Sequence, residues 1–173
     1  RLNKRGVGVG QVFVFIIAAL TFSLIMIFGY KAINSFIESG EDVAFVQFKT
    51  QLESSIKKIY TEFGSVRRES FTLPSQYRQI CFVDLEKEYD DSLCQQNQVA
   101  CTAWKNNPGY ENADENVFLQ PSAPVKIKVY KISISSDTGK NYLCLPIKQG
   151  IFELILEGKG DRTELSSVPI LGQ

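Results

Sequence analysis

The sequence predicts an α+β protein: a long N-terminal helix, apolar in one half and amphipathic in the other, packed on a small antiparallel β-sheet head. Three observations predict it. Residues 6–30 run for 25 positions without a charged side chain. Residues 42–63 place apolar side chains in steps of three and four, the period of one helix face. Beyond Gly64 apolar and polar residues alternate, the period of a strand with one face buried. The chain is expected to divide into a basic, glycine-containing leader-like segment at 1–10, an apolar helix at 11–38, an amphipathic helix at 41–64 and a β-rich head at 65–173.

At about 1.5 Å per residue the uncharged stretch reaches roughly 37 Å as a helix. A bilayer's hydrocarbon core is about 30 Å thick, so the stretch is long enough to span it with some tilt. It exceeds the roughly 7–15 apolar residues of a secretory signal, and no small-x-small cleavage site follows Tyr30. Arg1, Lys4 and Arg5 precede it; Lys31, Glu38, Glu41 and Asp42 follow it. The excess of basic residues before the span predicts a cytoplasmic N-terminus and a C-terminal domain outside.

The helix is expected to continue through 31–38, with Ser39-Gly40 as a weak point, because a glycine costs about 1 kcal/mol in a helix interior. In the amphipathic half, Phe45, Phe48, Leu52, Ile56, Ile59 and Phe63 share a face, opposite Lys49, Glu53, Lys57, Lys58 and Glu62. Glu53 and Lys57 are an i, i+4 pair in the favourable order. Glu41 and Asp42 suit a first turn, and Gly64 suits a C-terminal cap.

Strands are predicted at 66–73, ending before Pro74, and at 77–85. Another is predicted at 125–135, where the inward parity shifts by one place and implies a β-bulge near Tyr130-Lys131. A turn at 136–139 leads to strands at 142–147 and 151–157 and a short one at 163–166. Four or five of these would form one antiparallel sheet with the amphipathic helix across its apolar face. Residues 86–116 form a polar excursion too long for an ordinary structureless loop; it is expected to carry a function or to be stapled.

The chemistry-bearing residues are few. Lys and Arg (19) balance Asp and Glu (19), which leaves no basic excess for nucleic acid. The chain contains no His, which removes Ser-His-Asp and Cys-His catalysis and every His-containing metal site. Ser54 and Lys57 spell S-x-x-K without its companion motifs. Glu111, Asn112, Asp114, Glu115 and Asn116 match no calcium loop. Lys126, Lys128 and Lys131 read as a solvated strand face. No enzymatic activity, cofactor, metal or small-molecule substrate is expected.

Four cysteines allow three pairings. Cys94–Cys101 is favoured as a local staple and Cys81–Cys144 as a bridge between strands; four reduced thiols are the alternative. No C-x₂₋₄-C pair supports zinc. Disulfides imply an oxidising compartment, in agreement with the outward orientation drawn from the charges. Gly6 and Gly10 form a G-x-x-x-G and Ala18-Ala19 a second small patch, both compatible with close helix packing.

A short basic leader ending in Lys4-Arg5-Gly6, a long apolar helix, an amphipathic extension and a small β-rich domain together resemble the type IV pilin-like proteins, the archaeal members in particular. The resemblance implies cleavage of a leader after a basic residue and Gly, at Lys4-Arg5-Gly6-Val7 or at the second junction, Gly10-Gln11. The Glu that bacterial pilins carry near the start of the mature helix has no counterpart here. The resemblance implies a structural subunit of a cell-surface filament, with copies of the chain and the membrane as partners. Phe13, Ile16, Ile17, Leu20, Leu24 and Ile27 would form the helix–helix assembly surface. The alternative is a single-pass, membrane-anchored extracytoplasmic binding protein or complex subunit.

Overall fold

A computed structural model describes residues 9–136 and 139–169, with the backbone alone at Val9, Gln11 and residues 34–39. The leader-like residues Lys4, Arg5 and Gly6 lie outside the described residues. The chain divides into two compact units, one ending at Val43 and the other beginning at Ala44.

Helix α1 (Val9–Ile59) is continuous. It passes through Ser39-Gly40 without a break, so Glu41 and Asp42 lie inside a helix and not in a first turn. In the second unit its Phe45, Phe48, Leu52, Ile56 and Ile59 are buried in one core with Phe71, Ile80, Phe82, Phe152, Leu154, Leu156 and Leu165. The predicted face holds up to Ile59. Phe63 departs from it and is 81% exposed. The helix ends at Ile59, five residues short of the expected 64, because the turn beyond it is held from elsewhere. Gly64 N–H donates to the Gly158 carbonyl (2.9 Å), Gly158 N–H to the Ser65 carbonyl (3.0 Å) and Gly160 N–H to the Tyr60 carbonyl (2.7 Å). Gly64 has a positive φ of 76°, the conformation expected of a helix-terminating glycine, but it serves this turn.

The strands are β1 (Val66–Thr72), β2 (Gln79–Val83), β3 (Val117–Gln120), β4 (Ile132–Ile134), β5 (Tyr142–Pro146), β6 (Ile151–Gly158) and β7 (Thr163–Ser167). They form two sheets where one was expected. The first has the order β1-β6-β7-β4 and the second β3-β2-β5. The pairs are antiparallel except β4 with β7, which is parallel. β6 is the clearest strand: Phe152, Leu154 and Leu156 face inward, and Ile151 and Glu153 outward.

Residues 125–131 are not the strand expected there, and the β-bulge does not occur. Ile127 and Val129 are buried as the alternation requires, but their backbone is engaged by Asn116. Its Oδ1 accepts from Val129 N–H (2.8 Å) and its Nδ2 donates to the Val129 carbonyl (3.2 Å). One buried side-chain amide thus replaces a rung of a ladder.

Gly158 is the most closely approached of the described glycines. A Cβ built there would lie 2.2 Å from the Ile59 carbonyl oxygen and 2.3 Å from that of Glu62. Both are backbone atoms that no rotamer change can move. Gly158→Ala is therefore expected to destabilise the protein by about 1–3 kcal/mol or more, read as a lower denaturant midpoint. An unchanged midpoint would show that the end of α1 is free to move away from β6.

Candidate functional site

Two regions are distinguished by their surface chemistry. The first is the apolar part of α1. Residues Val12–Ile33 form a 22-residue helical stretch long and apolar enough to cross a membrane, and none of it is buried. Phe13, Ile16, Ile17, Leu20, Leu24 and Ile27, the residues expected to form an assembly surface, are 45–62% exposed. Val14, Phe15, Phe22, Ile25, Met26 and Phe28 are exposed as well, so apolar side chains surround the helix and no one face stands out. The hydroxyls of Thr21 and Ser23 are satisfied locally. Thr21 Oγ1 donates to the carbonyls of Ile17 and Ala18 (3.0 Å each), and Ser23 Oγ to that of Ala19 (2.8 Å). What this helix offers is apolar area of a kind that soluble monomers rarely expose over so long a run. Gly10 lies in α1 with open space around it.

The second region is the excursion at 86–116, which is folded and stapled. It contains α2 (Leu93–Gln96) and α3 (Gln98–Asn106). Asn97 lies between them, and its Oδ1 accepts from Ala100 N–H at 3.0 Å, an N-cap of α3. A disulfide joins Cys94 to Cys101. The Tyr89 hydroxyl lies 3.1 Å from each of these sulfurs, and its ring meets Trp104 edge-on at 5.4 Å. Leu93, Ala100 and Trp104 pack with Cys81, Val83, Phe118 and Tyr142 in a second core. The other disulfide joins Cys81 and Cys144, directly opposite each other on β2 and β5.

Beside this core Asp84 is 2% exposed and accepts from Glu86 N–H at 3.1 Å. Burial pushes its carboxyl above the ordinary value; the Glu86 hydrogen bond and the charges of Lys87 and Arg162 oppose that shift without cancelling it. Glu86 in turn meets Lys131 (2.7 Å) and Arg162 (3.6 Å). A carboxyl whose pKa is raised on folding favours the native state below its unfolded value, near 3.8, and that contribution is lost as pH rises through the raised value. Asp84→Asn keeps an acceptor for Glu86 N–H and removes the charge. The variant is expected to be more stable than the parent at pH 7, with the gap closing toward pH 4. Urea titrations at both values check this. A variant less stable at pH 7 would mean that the basic neighbours outweigh burial.

The remaining polar candidates are dispersed. Ser54 and Lys57 are exposed on α1. Asp114 is paired with Lys126 at 2.8 Å, which holds its carboxyl below the usual range, and Asn116 is committed to Val129. Among the described residues, no three His, Cys, Asp or Glu side chains come together as a metal site. No protein-family model matches the chain, and no curated protein or solved structure is significantly similar to it.

Proposed function

We propose that this chain is a structural subunit of a cell-surface filament, inserted in the membrane through α1 and then assembled with copies of itself in the manner of archaeal type IV pilin-like proteins. The observation that carries the reading is the apolar surface of Val12–Ile33, which surrounds the helix and is unburied within one chain. In water it has no favourable place except against similar surfaces. Burial of each large side chain contributes about 1.5–3 kcal/mol, so the sum over Phe13, Ile16, Ile17, Leu20, Leu24, Ile27 and their neighbours favours durable assembly. In this reading a leader is cut at Gly6-Val7 or Gly10-Gln11, and the amphipathic half of α1 serves as the cover of the sheets. Arg1, Lys4 and Arg5 begin in the cytoplasm, and the disulfide-bonded unit matures outside, where an oxidising compartment suits it.

A plain membrane anchor is the second reading. The self-satisfied hydroxyls of Thr21 and Ser23 favour it, because side-chain groups bonded within their own helix need no partner in lipid. Electron microscopy of the purified full chain after slow detergent removal separates the two. Filaments are expected, with Leu20→Glu/Leu24→Glu abolishing them. Recovery of dispersed single copies in liposomes under all conditions would sink the filament reading. N-terminal sequencing of the natural protein should find a mature end at Val7 or Gln11.

A further inference from the structure

We propose that the groove between α2 and the β2–β3 edge binds a saccharide bearing a carboxylate, with Arg78 as the anion-binding residue. The groove has a volume of about 890 Å³ and is lined by Gln76, Arg78, Gln79, Gln95, Gln96, Gln120 and Pro121.

Its chemistry is unusual in three respects. First, no carboxylate lines it among the described residues. Of the described arginines, Arg67, Arg68 and Arg162 are paired with Glu62, Glu153 and Asp161. Arg78 has no ion pair with any described residue, and it is an exposed residue that lines the groove. An unpaired guanidinium presents a planar fork that fits a carboxylate through two parallel hydrogen bonds. Second, the five glutamine side chains make no hydrogen bond to any other described residue. Each carries two donors and an acceptor, the complement of sugar hydroxyls, which both donate and accept. Third, Pro121 is the only apolar residue among the described residues that line it.

The groove is also held in place. Arg78 N–H donates to the Gln120 carbonyl and the Arg78 carbonyl accepts from Ile147 N–H, both at 2.8 Å. Gln79 lies opposite Gln120 in the β2–β3 register. Gln95 and Gln96 are fixed from the other side by buried Leu93 and by the Cys94–Cys101 disulfide beside them. The backbone bearing the polar groups is thus set before any ligand arrives, which lowers the cost of binding. None of this depends on whether α1 assembles or only anchors.

The test uses the full chain in detergent micelles, with trigalacturonic acid as probe and neutral maltotriose as control, followed by isothermal titration and by amide chemical shifts. Saturable binding of the acidic trimer is expected, with shifts at Arg78, Gln79 and Gln120 and at least tenfold weaker binding of maltotriose. Arg78→Ala should lose at least tenfold in affinity and Gln95→Ala/Gln96→Ala several-fold, both with an unchanged melting temperature. Absence of saturable binding, equal binding of maltotriose, or undiminished binding by Arg78→Ala would each overturn the proposal.

Discussion

Replacing Phe48 with Ala will destabilise the second unit by about 3–5 kcal/mol, the range for truncating a buried aromatic side chain. Phe48 is 1% exposed and stands where α1 meets the first sheet. Its ring lies 6.4 Å from that of Phe71 and 6.1 Å from that of Phe152, both edge-on, and Phe71 and Phe152 stack on each other at 5.2 Å. Phe45 adds a fourth ring at 6.4 Å. Truncation therefore leaves a cavity lined by aromatic rings fixed on α1, β1 and β6. β1 and β6 are registered across all seven residues of β1, so neither strand can close on the gap alone. The companion measurement is Phe63→Ala. Its side chain is almost wholly exposed, and truncation should change stability by no more than about 0.5 kcal/mol. Denaturant midpoints of the two variants against the parent decide the matter. Equal losses would mean that the inward face continues past Ile59 and that Phe63 packs as part of it.

That contrast also shows why some of the fold was legible and some was not. The buried residues of α1 from Phe45 to Ile59 follow from spacing alone, because a helix repeats its inward direction every three or four residues. Phe63 keeps the spacing but not the helix. The turn that ends α1 is held by Gly158 and Gly160, about a hundred residues away, and no local pattern reports such a contact. β3 was hidden for another reason. Val117, Phe118 and Leu119 do not alternate because the strand lies between two cores: Val117 and Leu119 face one and Phe118 the other. At 125–131 the alternation is present, yet Asn116 takes up the backbone that a neighbouring strand would have paired. The parallel pairing of β4 with β7 has no local signature, since it depends on which edge the β6–β7 hairpin leaves open. The apolar surface of α1 could be read directly from the sequence. The groove around Arg78 could not: its glutamines come from three separate segments, and each alone reads as ordinary solvated surface.

The double variant Cys81→Ala/Cys144→Ala should lose about 4 kcal/mol, and Cys94→Ala/Cys101→Ala about 2 kcal/mol, in the chain-entropy account of disulfides. The difference comes from loop length. The first bond joins residues 63 apart and the second residues 7 apart, so the first removes many more conformations from the unfolded chain. Their places in the fold sharpen the contrast. Cys81 and Cys144 are opposed on β2 and β5, and Cys81 is fully buried in the second core. Their removal leaves β5 held to the middle strand of its sheet by the backbone ladder alone and opens space in the core that holds Val83 and Phe118. Cys94 and Cys101 tie α2 to α3 under Tyr89, in a segment that Leu93 and Trp104 already anchor by burial. Breaking that tie should loosen the excursion before the sheet. Guanidinium titrations of the full chain followed by far-ultraviolet circular dichroism should therefore show the larger midpoint loss for the first pair. Trp104 fluorescence should report an earlier, local transition for the second pair alone. A reversed order of losses would mean that the excursion, and not the β2–β5 pairing, holds the second core together.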